Sequence, residues 1–287
     1  MEPNQRLAHG ARQEVKGIQF ATLQRGSKLY LEEGKDNLAL LVGDIRPDKA
    51  VVSLRAFVKI CHNQSQLQAE MVCSVIGRAL GVKIPDPYLV FVKPESRPPI
   101  EIYEPVLGFG TAAVAGHSFA RLGNFAQLHT ALKNIDLVAA FDQLIANGDR
   151  HLGQMIYDGN EHWSIDHAHS FGGPTWGDFG LPSPEIDIIN WLLDKSDYGA
   201  SLGVDDLARY ALRKRANKSF APLVGKVEGL FIEAGLQRMI SDEVLRDLYS
   251  WIESRISHAV EQICQKIGLP DMGYAAKSLI DSPSSRN

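Results

Sequence analysis

The stretch of residues 136–171 constrains the fold more than any other part of the chain. An apolar helical pattern ends at Asn147-Gly148, and two short strand-like runs follow, separated by the turn signal Asp158-Gly159. Asp149 precedes this predicted hairpin and Asp166 follows it. Because a hairpin returns the chain to its starting point, both carboxylates are expected close together. The two runs are Met155–Tyr157 and Trp163–Ile165.

Two carboxylates in this arrangement are typical of phosphoryl transfer. One carboxylate orients or deprotonates the attacking hydroxyl, and the other holds the Mg²⁺ that bridges the nucleotide phosphates. Arg150 directly follows the first carboxylate and is expected to order the loop. His151 is expected to accept a proton or to contact phosphate.

A second stretch contains a lysine and a glutamate with a related spacing. Lys59 lies near the end of the apolar strand-like run Phe57–Ile60. A helical pattern follows and ends at Gly81, and Glu70 lies in its first half beside the apolar stripe. A strand lysine paired with a helix glutamate is the arrangement that holds a lysine against nucleotide phosphates. The alternative is an unrelated surface lysine and surface glutamate.

Both stretches resemble one family. The residues Asn147-Gly-Asp-Arg-His151 through Ile165-Asp166-His167 resemble the catalytic and metal-binding loops of HipA-like kinases, and also those of phosphatidylinositol 3- and 4-kinases. Residues 57–92 resemble the HipA-like kinases again, with a strand lysine, a helix glutamate and a Gly-to-Pro turn before the next strand. The resemblance implies an α+β, two-lobed protein-kinase-like fold, with an antiparallel-sheet N-lobe and a mainly helical C-lobe.

The resemblance also implies a role for each residue of the site. These roles are catalysis by Asp149, Arg150 and His151, ATP binding by Lys59 and Glu70, and Mg²⁺ binding by Asp166 and Gln154. Gln154 departs from the family pattern, which has an asparagine five residues after the first aspartate. Glutamine offers the same carbonyl oxygen on a longer stem, so full activity, altered metal preference and loss of activity all stay open.

The function that the resemblance implies is an ATP- and Mg²⁺-dependent kinase that phosphorylates a Ser or Thr hydroxyl of a protein. HipA-like kinases often act as toxins with a DNA-binding antitoxin as partner. A pseudokinase that binds nucleotide or protein without chemistry is an alternative, motivated by Gln154 and by the absence of a G-x-G-x-x-G motif. A small-molecule kinase has the opposite His–Asp order, and a lipid kinase is usually far longer.

Histidines near the two carboxylates allow a further alternative, a metal-dependent hydrolase. The pair His167 and His169 would point its rings to opposite sides of a strand end, and no HExxH motif occurs. The hydrolase is therefore the weaker hypothesis. The histidines concerned are His151, His162, His167 and His169.

Length and charge limit the organisation and the partners. A chain of 287 residues with 45% hydrophobic residues favours one bilobal unit or two domains. A net charge of −4 argues against direct nucleic-acid binding. The expected segments are a flexible arm (1–16), an N-lobe (17–107), a helical C-lobe (108–276) and a flexible tail (277–287).

Three scattered cysteines without a metal-binding spacing favour free thiols in a reducing cytoplasm. No apolar run approaches the about 20 residues of a membrane span. The first residues lack the apolar core of a signal peptide. We therefore expect a soluble, cytoplasmic protein.

Other patterns predict further elements. Short strand-like runs fill residues 18–60, and a phosphate-covering loop is expected at Arg25-Gly26-Ser27 or at Gly43-Asp44. Residues 100–105 are predicted as a strand that leads into a hinge at 107–110. Helices are predicted over 184–195, 205–214 and 222–234, and from Ser241 to about residue 267.

Overall fold

The computed structural model describes residues 17–30, 37–122, 135–193 and 218–267. The predicted arm, the predicted tail and the predicted helix at 205–214 lie outside these ranges. No helix of the described residues is long and apolar enough to cross a membrane.

The N-terminal part is a sheet of short strands. They are β1 (Gln19–Leu23), β2 (Lys28–Leu29), β3 (Ala39–Pro47), β4 (Leu54–Ile60), β5 (Pro87–Val92) and β6 (Val106–Ala112). Their order is β1-β5-β6-β4-β3-β2, and β1 also pairs with β3. The strands β1, β5, β6, β4 and β3 therefore close into a barrel, and β2 extends one edge of it.

The α+β class predicted from the sequence is confirmed, but the sheet differs from the expected one. β1 and β5 run parallel, with Gln19 opposite Tyr88 and Thr22 opposite Phe91. The expectation of an antiparallel sheet is therefore wrong for this pair. A parallel pair needs a long crossover, and here the chain from β2 to α1 supplies it.

The barrel interior is filled by the inward-facing side chains of its strands. In β4, Ala56, Val58 and Ile60 are buried in that interior. Because side chains alternate along a strand, Phe57 and Lys59 lie on the outer face.

Helix α1 (Gln64–Leu80) follows β4 directly. Asn63 caps its first turn by accepting a hydrogen bond from the Gln66 backbone N–H at 2.9 Å. Gly81 ends the helix in the left-handed conformation, with φ of 89°, as its sequence pattern predicts. Nearly all of α1 is buried, so even its polar side chains face protein.

The C-terminal part is built mainly from helices around a second core. Its longest helix begins after the cap residue Ser241, as predicted from the sequence. A small sheet, in the order β7-β8-β9, contains the predicted hairpin. The elements are β7 (His117–Ser118), α2 (Asp136–Leu144), β8 (Met155–Tyr157), β9 (His162–Ser164), α3 (Trp176–Phe179), α4 (Val227–Glu233) and α5 (Asp242–Lys266).

Three local expectations are wrong. Gly43-Asp44 lies inside β3 and forms no turn. A Cβ on Gly43 would lie only 2.7 Å from the Cβ of Ser27, so the glycine lets Ser27 pack closely against the strand. Residues 100–105 form no strand, and β6 instead occupies the predicted hinge. The described residues 184–193 form no helix, because their backbone carbonyls bond to side chains of α5.

Candidate active site

Lys59 lies on the outer face of β4, where α1 covers it and leaves 14% of its side chain exposed. Its Nζ donates to Oε1 of Glu70 and, at 2.6 Å, to Oδ1 of Asp166. The sequence predicted the first partner but not the second. We call Lys59, Glu70 and Asp166 the lysine cluster.

Glu70 is the buried member of the lysine cluster, with 1% of its side chain exposed. Its second oxygen, Oε2, accepts a hydrogen bond from the His167 backbone N–H at 3.1 Å. Burial alone raises the pKa of Glu70, but the charge of Lys59 and the contacts with His167 outweigh it and lower the pKa to about 2. Glu70 is therefore an ionised link between β4 and the segment after β9.

Asp166 follows β9 in the left-handed conformation, with φ of 64°. This conformation costs a residue other than glycine about 1–3 kcal/mol, and such strain is often found at functional sites. It allows Asp166 to contact Lys59 while the next residue contacts Glu70. Asp166 keeps 32% of its side chain exposed, so a ligand can reach it.

His167 lies beneath the lysine cluster. Its Nε2 is 3.2 Å from Oγ of Ser164, and its Nδ1 is 3.6 Å from Oε2 of Glu70. Burial lowers the pKa of His167, although Glu70 acts in the opposite direction. Ser164, His167 and Glu70 resemble a hydrolase triad in order, but all three are buried, so they support the loop rather than meet a substrate.

Asp149 lies in a polar loop between α2 and β8, which we call the Asp149 loop (residues 147–154). Asn147 shapes this loop, since its Oδ1 accepts from the Asp149 backbone N–H at 3.2 Å. The preceding residue, Ala146, is left-handed with φ of 50°. Asp149 is partly exposed and next to the exposed Gly148, so its carboxylate is accessible.

Arg150 is buried and holds the Asp149 loop in place. Its guanidinium makes two hydrogen bonds to Asp142 of α2, at 2.8 and 2.9 Å. It also donates to the backbone carbonyl of Ile165 at 2.6 Å. Burial lowers the pKa of Arg150, but Asp142 outweighs it and raises the pKa overall. Arg150 therefore connects the Asp149 loop to Ile165, the residue before Asp166.

Asp142 is a site residue that the sequence reasoning missed. It lies on the same helical face as Val138 and Ile145, both of which are buried. A buried carboxylate needs a charged or hydrogen-bonding partner. The position of Asp142 on the apolar face of a predicted helix therefore indicates a buried carboxylate that needs a partner such as Arg150.

His151 and Gln154 lie at the two ends of a short 3-10 turn. The Nδ1 of His151 accepts from the Gly153 backbone N–H at 3.0 Å, so neutral His151 carries its proton on Nε2. Gln154 donates from Nε2 to Oδ2 of Asp149 at 2.9 Å. The sequence placed these residues near Asp149 but did not predict these bonds.

The histidines considered for a metal-dependent hydrolase serve separate purposes. His162 packs edge-on against Phe119, whereas His167 lies beside Glu70 and His151 is exposed. Within the described ranges, no group of three or more His, Cys, Asp or Glu side chains is placed to hold a metal ion.

A family comparison agrees with this geometry. Residues 56–171 match the family model described as HipA-like kinase, and this range contains the whole lysine cluster and the whole Asp149 loop. These residues are therefore similar to the HipA-like kinases, and the resemblance found in the sequence is confirmed over this range.

Two solved structures are similar to the chain. One is a proinflammatory kinase of Helicobacter pylori, CtkA, with a TM-score of 0.46 and 12% identity, covering 85% of this chain and 96% of that chain. The other is HipA of Shewanella oneidensis MR-1, solved with HipB and its operator DNA, with a TM-score of 0.36 and 10% identity, covering 94% of this chain and 68% of that chain. No curated protein matches the chain.

Proposed function

We propose that this protein is an ATP- and Mg²⁺-dependent kinase that transfers the γ-phosphoryl group to a Ser or Thr hydroxyl of a protein. The observation that carries the proposal is the joining of the two halves of the site. Lys59 contacts both Glu70 and Asp166, and Arg150 ties the segment before Asp166 to the Asp149 loop. The cation of Lys59 and the accessible carboxylates of Asp166 and Asp149 therefore belong to segments that are bonded to one another.

The residues of the lysine cluster fit a metal–nucleotide complex. Lys59 is a cation fixed by a buried carboxylate, which is the arrangement that holds nucleotide phosphates. Asp166 is the most exposed carboxylate of the cluster, and Mg²⁺ is usually held by one or two carboxylates together with phosphate oxygens. When bound, the metal neutralises charge on the phosphates.

The Asp149 loop supplies the acceptor side of the reaction. Asp149 would accept a hydrogen bond from the attacking hydroxyl and orient it toward the phosphate. Arg150 is buried, so it positions the loop and meets no substrate. His151 is exposed with its Nε2–H free of the Gly153 contact, and it would donate to a phosphate oxygen.

We further propose that the two parts of the fold act as the two lobes of a kinase. The N-lobe (17–107) would comprise most of the barrel with α1, and the C-lobe (108–276) would comprise the remaining elements. The lysine cluster supports this division, because it joins β4 and α1 to the segment after β9. The proposed boundary divides β6, which pairs with both β4 and β5.

A protein acceptor is supported by the segment of residues 172–193 beside the Asp149 loop. The backbone oxygen of Ile189 lies 3.7 Å from the position that a Cβ on Gly148 would occupy. Side chains of α5 hold the segment, since Trp251 donates to the Pro182 carbonyl at 2.6 Å and Arg255 to the Pro184 carbonyl at 2.7 Å. The segment exposes 64% of Ile189, an apolar surface for a polypeptide.

Two other functions use the same site. A pseudokinase is favoured by the ion pair between Lys59 and Asp166, which engages both groups that a metal–nucleotide complex would need. A small-molecule or lipid kinase would use the same residues with a different acceptor. For partners, we propose a DNA-binding antitoxin, and the resemblance to HipA-like kinases alone supports that proposal.

The experiment is incubation of the purified protein with Mg²⁺ and γ-labelled ATP, beside the Asp149→Asn variant. We expect label on protein with the wild type and a loss of about a hundredfold or more in the variant, since positioned acid–base groups contribute about 10²–10⁴-fold. Nucleotide binding, measured by calorimetry, should be equal in both. Nucleotide binding without transfer to any protein would favour the pseudokinase, and equal labelling by the variant would overturn the role of Asp149.

A further inference from the structure

The side chain of Gln154 has both of its polar ends engaged within the Asp149 loop. Its Oε1 accepts from the His151 backbone N–H at 3.2 Å. Its Nε2 donates to Oδ2 of Asp149 at 2.9 Å. Only 4% of Gln154 is exposed.

From this geometry we propose that Gln154 positions Asp149 and does not ligate the metal. An amide nitrogen is a donor and offers Mg²⁺ no oxygen. The oxygen that would ligate Mg²⁺ instead faces the His151 backbone N–H inside the loop. Mg²⁺ keeps several waters and needs near-octahedral geometry. The buried side chain of Gln154, which lies between His151 and Asp149, leaves no room for such a shell. The inference rests on the proposed kinase function.

The residue type has a local explanation. His151 and Gln154 form a capping box, in which Gln154 reaches back to the backbone N–H that begins the 3-10 turn. Glutamine and glutamate are the residues that close such a box. Asparagine is one methylene shorter, so it would lose one of the two bonds that Gln154 makes.

The consequence concerns the two oxygens of Asp149. The bond from Gln154 holds Oδ2 and fixes the rotation of the carboxylate. The other oxygen, Oδ1, then accepts a hydrogen bond from the hydroxyl of the substrate. Of the proposed site residues, Asp166 would then hold the metal, and nucleotide phosphates and water would supply its other ligands.

Three substitutions separate a positioning residue from a ligand. Gln154→Met keeps the length and apolar stem but removes the donor, Gln154→Asn restores the family residue, and Gln154→Glu adds a strong metal-binding oxygen that cannot donate to Asp149. If Gln154 positions Asp149, all three lower kcat, with Glu the most severe because it repels Asp149. A metal ligand would instead show little loss with Asn or Glu and a clear loss with Met.

The first measurement is binding of Mn²⁺ with a non-hydrolysable ATP analogue, which needs no catalysis. We expect the affinity of Gln154→Met to stay within about twofold of the wild type, whereas Asp166→Asn, as the control, loses binding. The second measurement is steady-state kinetics. We expect kcat to fall about tenfold to a hundredfold in Gln154→Met, as for loss of one hydrogen bond to a charged group, with KM for ATP and the Mg²⁺ activation constant unchanged.

The outcomes also separate this inference from the proposed function. Weaker Mn²⁺–nucleotide binding in Gln154→Met, restored in Gln154→Glu, would overturn the inference and leave the kinase intact. A wild type that binds the complex without transferring phosphate would overturn the kinase, and the binding arm would still decide whether Gln154 is a ligand. Thermal unfolding of each variant shows whether a lost activity is only a lost fold.

Discussion

The lysine cluster and the Asp149 loop are held together in different ways. In the lysine cluster, charged side chains from three separate elements pair directly, and two carboxylates share one cation. In the Asp149 loop, most bonds connect residues 142–154, and the one buried ion pair, between Arg150 and Asp142, does not include the proposed catalytic carboxylate.

The two regions therefore differ in whether their groups can change partners. In the lysine cluster, Asp166 is partly exposed and its bond to Lys59 can be replaced by bonds to a metal and to phosphate. The Asp149 loop offers no such exchange, because its supporting groups are buried and already bonded. One half of the site is therefore adaptable, and the other is preorganised.

The largest effect should come from breaking the preorganised half. Asp142→Ala leaves the Arg150 guanidinium buried without its carboxylate, which costs about 3–5 kcal/mol for a buried pair with one partner removed. We expect that loss in the free energy of unfolding from denaturant titration. The double variant Asp142→Leu with Arg150→Met should recover much of it, since buried pairs are often replaceable by apolar residues.

A surface pair provides the control for this prediction. Asp44 and Arg55 are 3.5 Å apart with about half of each side chain exposed, at 56% and 50%. Asp44→Ala should change the free energy of unfolding by less than about 0.5 kcal/mol. A similar small change for Asp142→Ala would show that the Asp149 loop is not preorganised by its buried pair.

A smaller effect is expected from breaking the adaptable half. Lys59→Met removes a charged hydrogen-bond donor to phosphate, worth about 1.5–3 kcal/mol, so the Kd for ATP should rise about tenfold to a hundredfold. Glu70→Gln keeps the lysine and removes one of its two anchors, so its Kd should rise less. Calorimetric titration checks both, and unchanged ATP affinity in Lys59→Met would remove the lysine cluster from the nucleotide site.

A further effect is the pH dependence that Glu70 adds to stability. Its pKa is lowered from the ordinary 4.5 to about 2, because Lys59 and His167 outweigh the opposing effect of burial. The folded carboxylate therefore binds fewer protons than the unfolded one. Its contribution is complete above about pH 4.5 and is lost as the pH falls from there toward about 2.

The test is the slope of the unfolding free energy against pH in Glu70→Gln. Since the glutamine cannot titrate, we expect a shallower loss of stability between about pH 5 and pH 3 than in the wild type. Denaturant titrations across this range give the slope. Parallel curves for the two proteins would mean that Glu70 is not the titrating group.

Local patterns predicted much of the fold and of the site. The capped helix α1, the hairpin of β8 and β9, and the capped helix α5 follow from residue periodicity and from cap residues near their ends. Lys59 and Glu70 pair as predicted, because a strand and the helix that follows it are short-range neighbours. These features depend on contacts between residues that are close in sequence.

Other features could not be predicted in this way. The parallel pairing of β1 with β5 depends on which edges meet when the barrel closes. The segment 184–195 has an apolar pattern typical of a helix, but its described residues form none, and the carbonyls of Pro184 and Ile186 bond to Arg255 of α5. A pattern read along one segment does not contain the partner that competes for its backbone groups.

The types and the order of the site residues can be read from the sequence, because catalytic chemistry needs particular groups at particular spacings. How those groups are used depends on the tertiary structure. It placed Asp166 against Lys59 and directed the amide of Gln154 to Asp149. The physical reason is that a buried polar group must find a partner, and the partner available at each position depends on how separate elements pack.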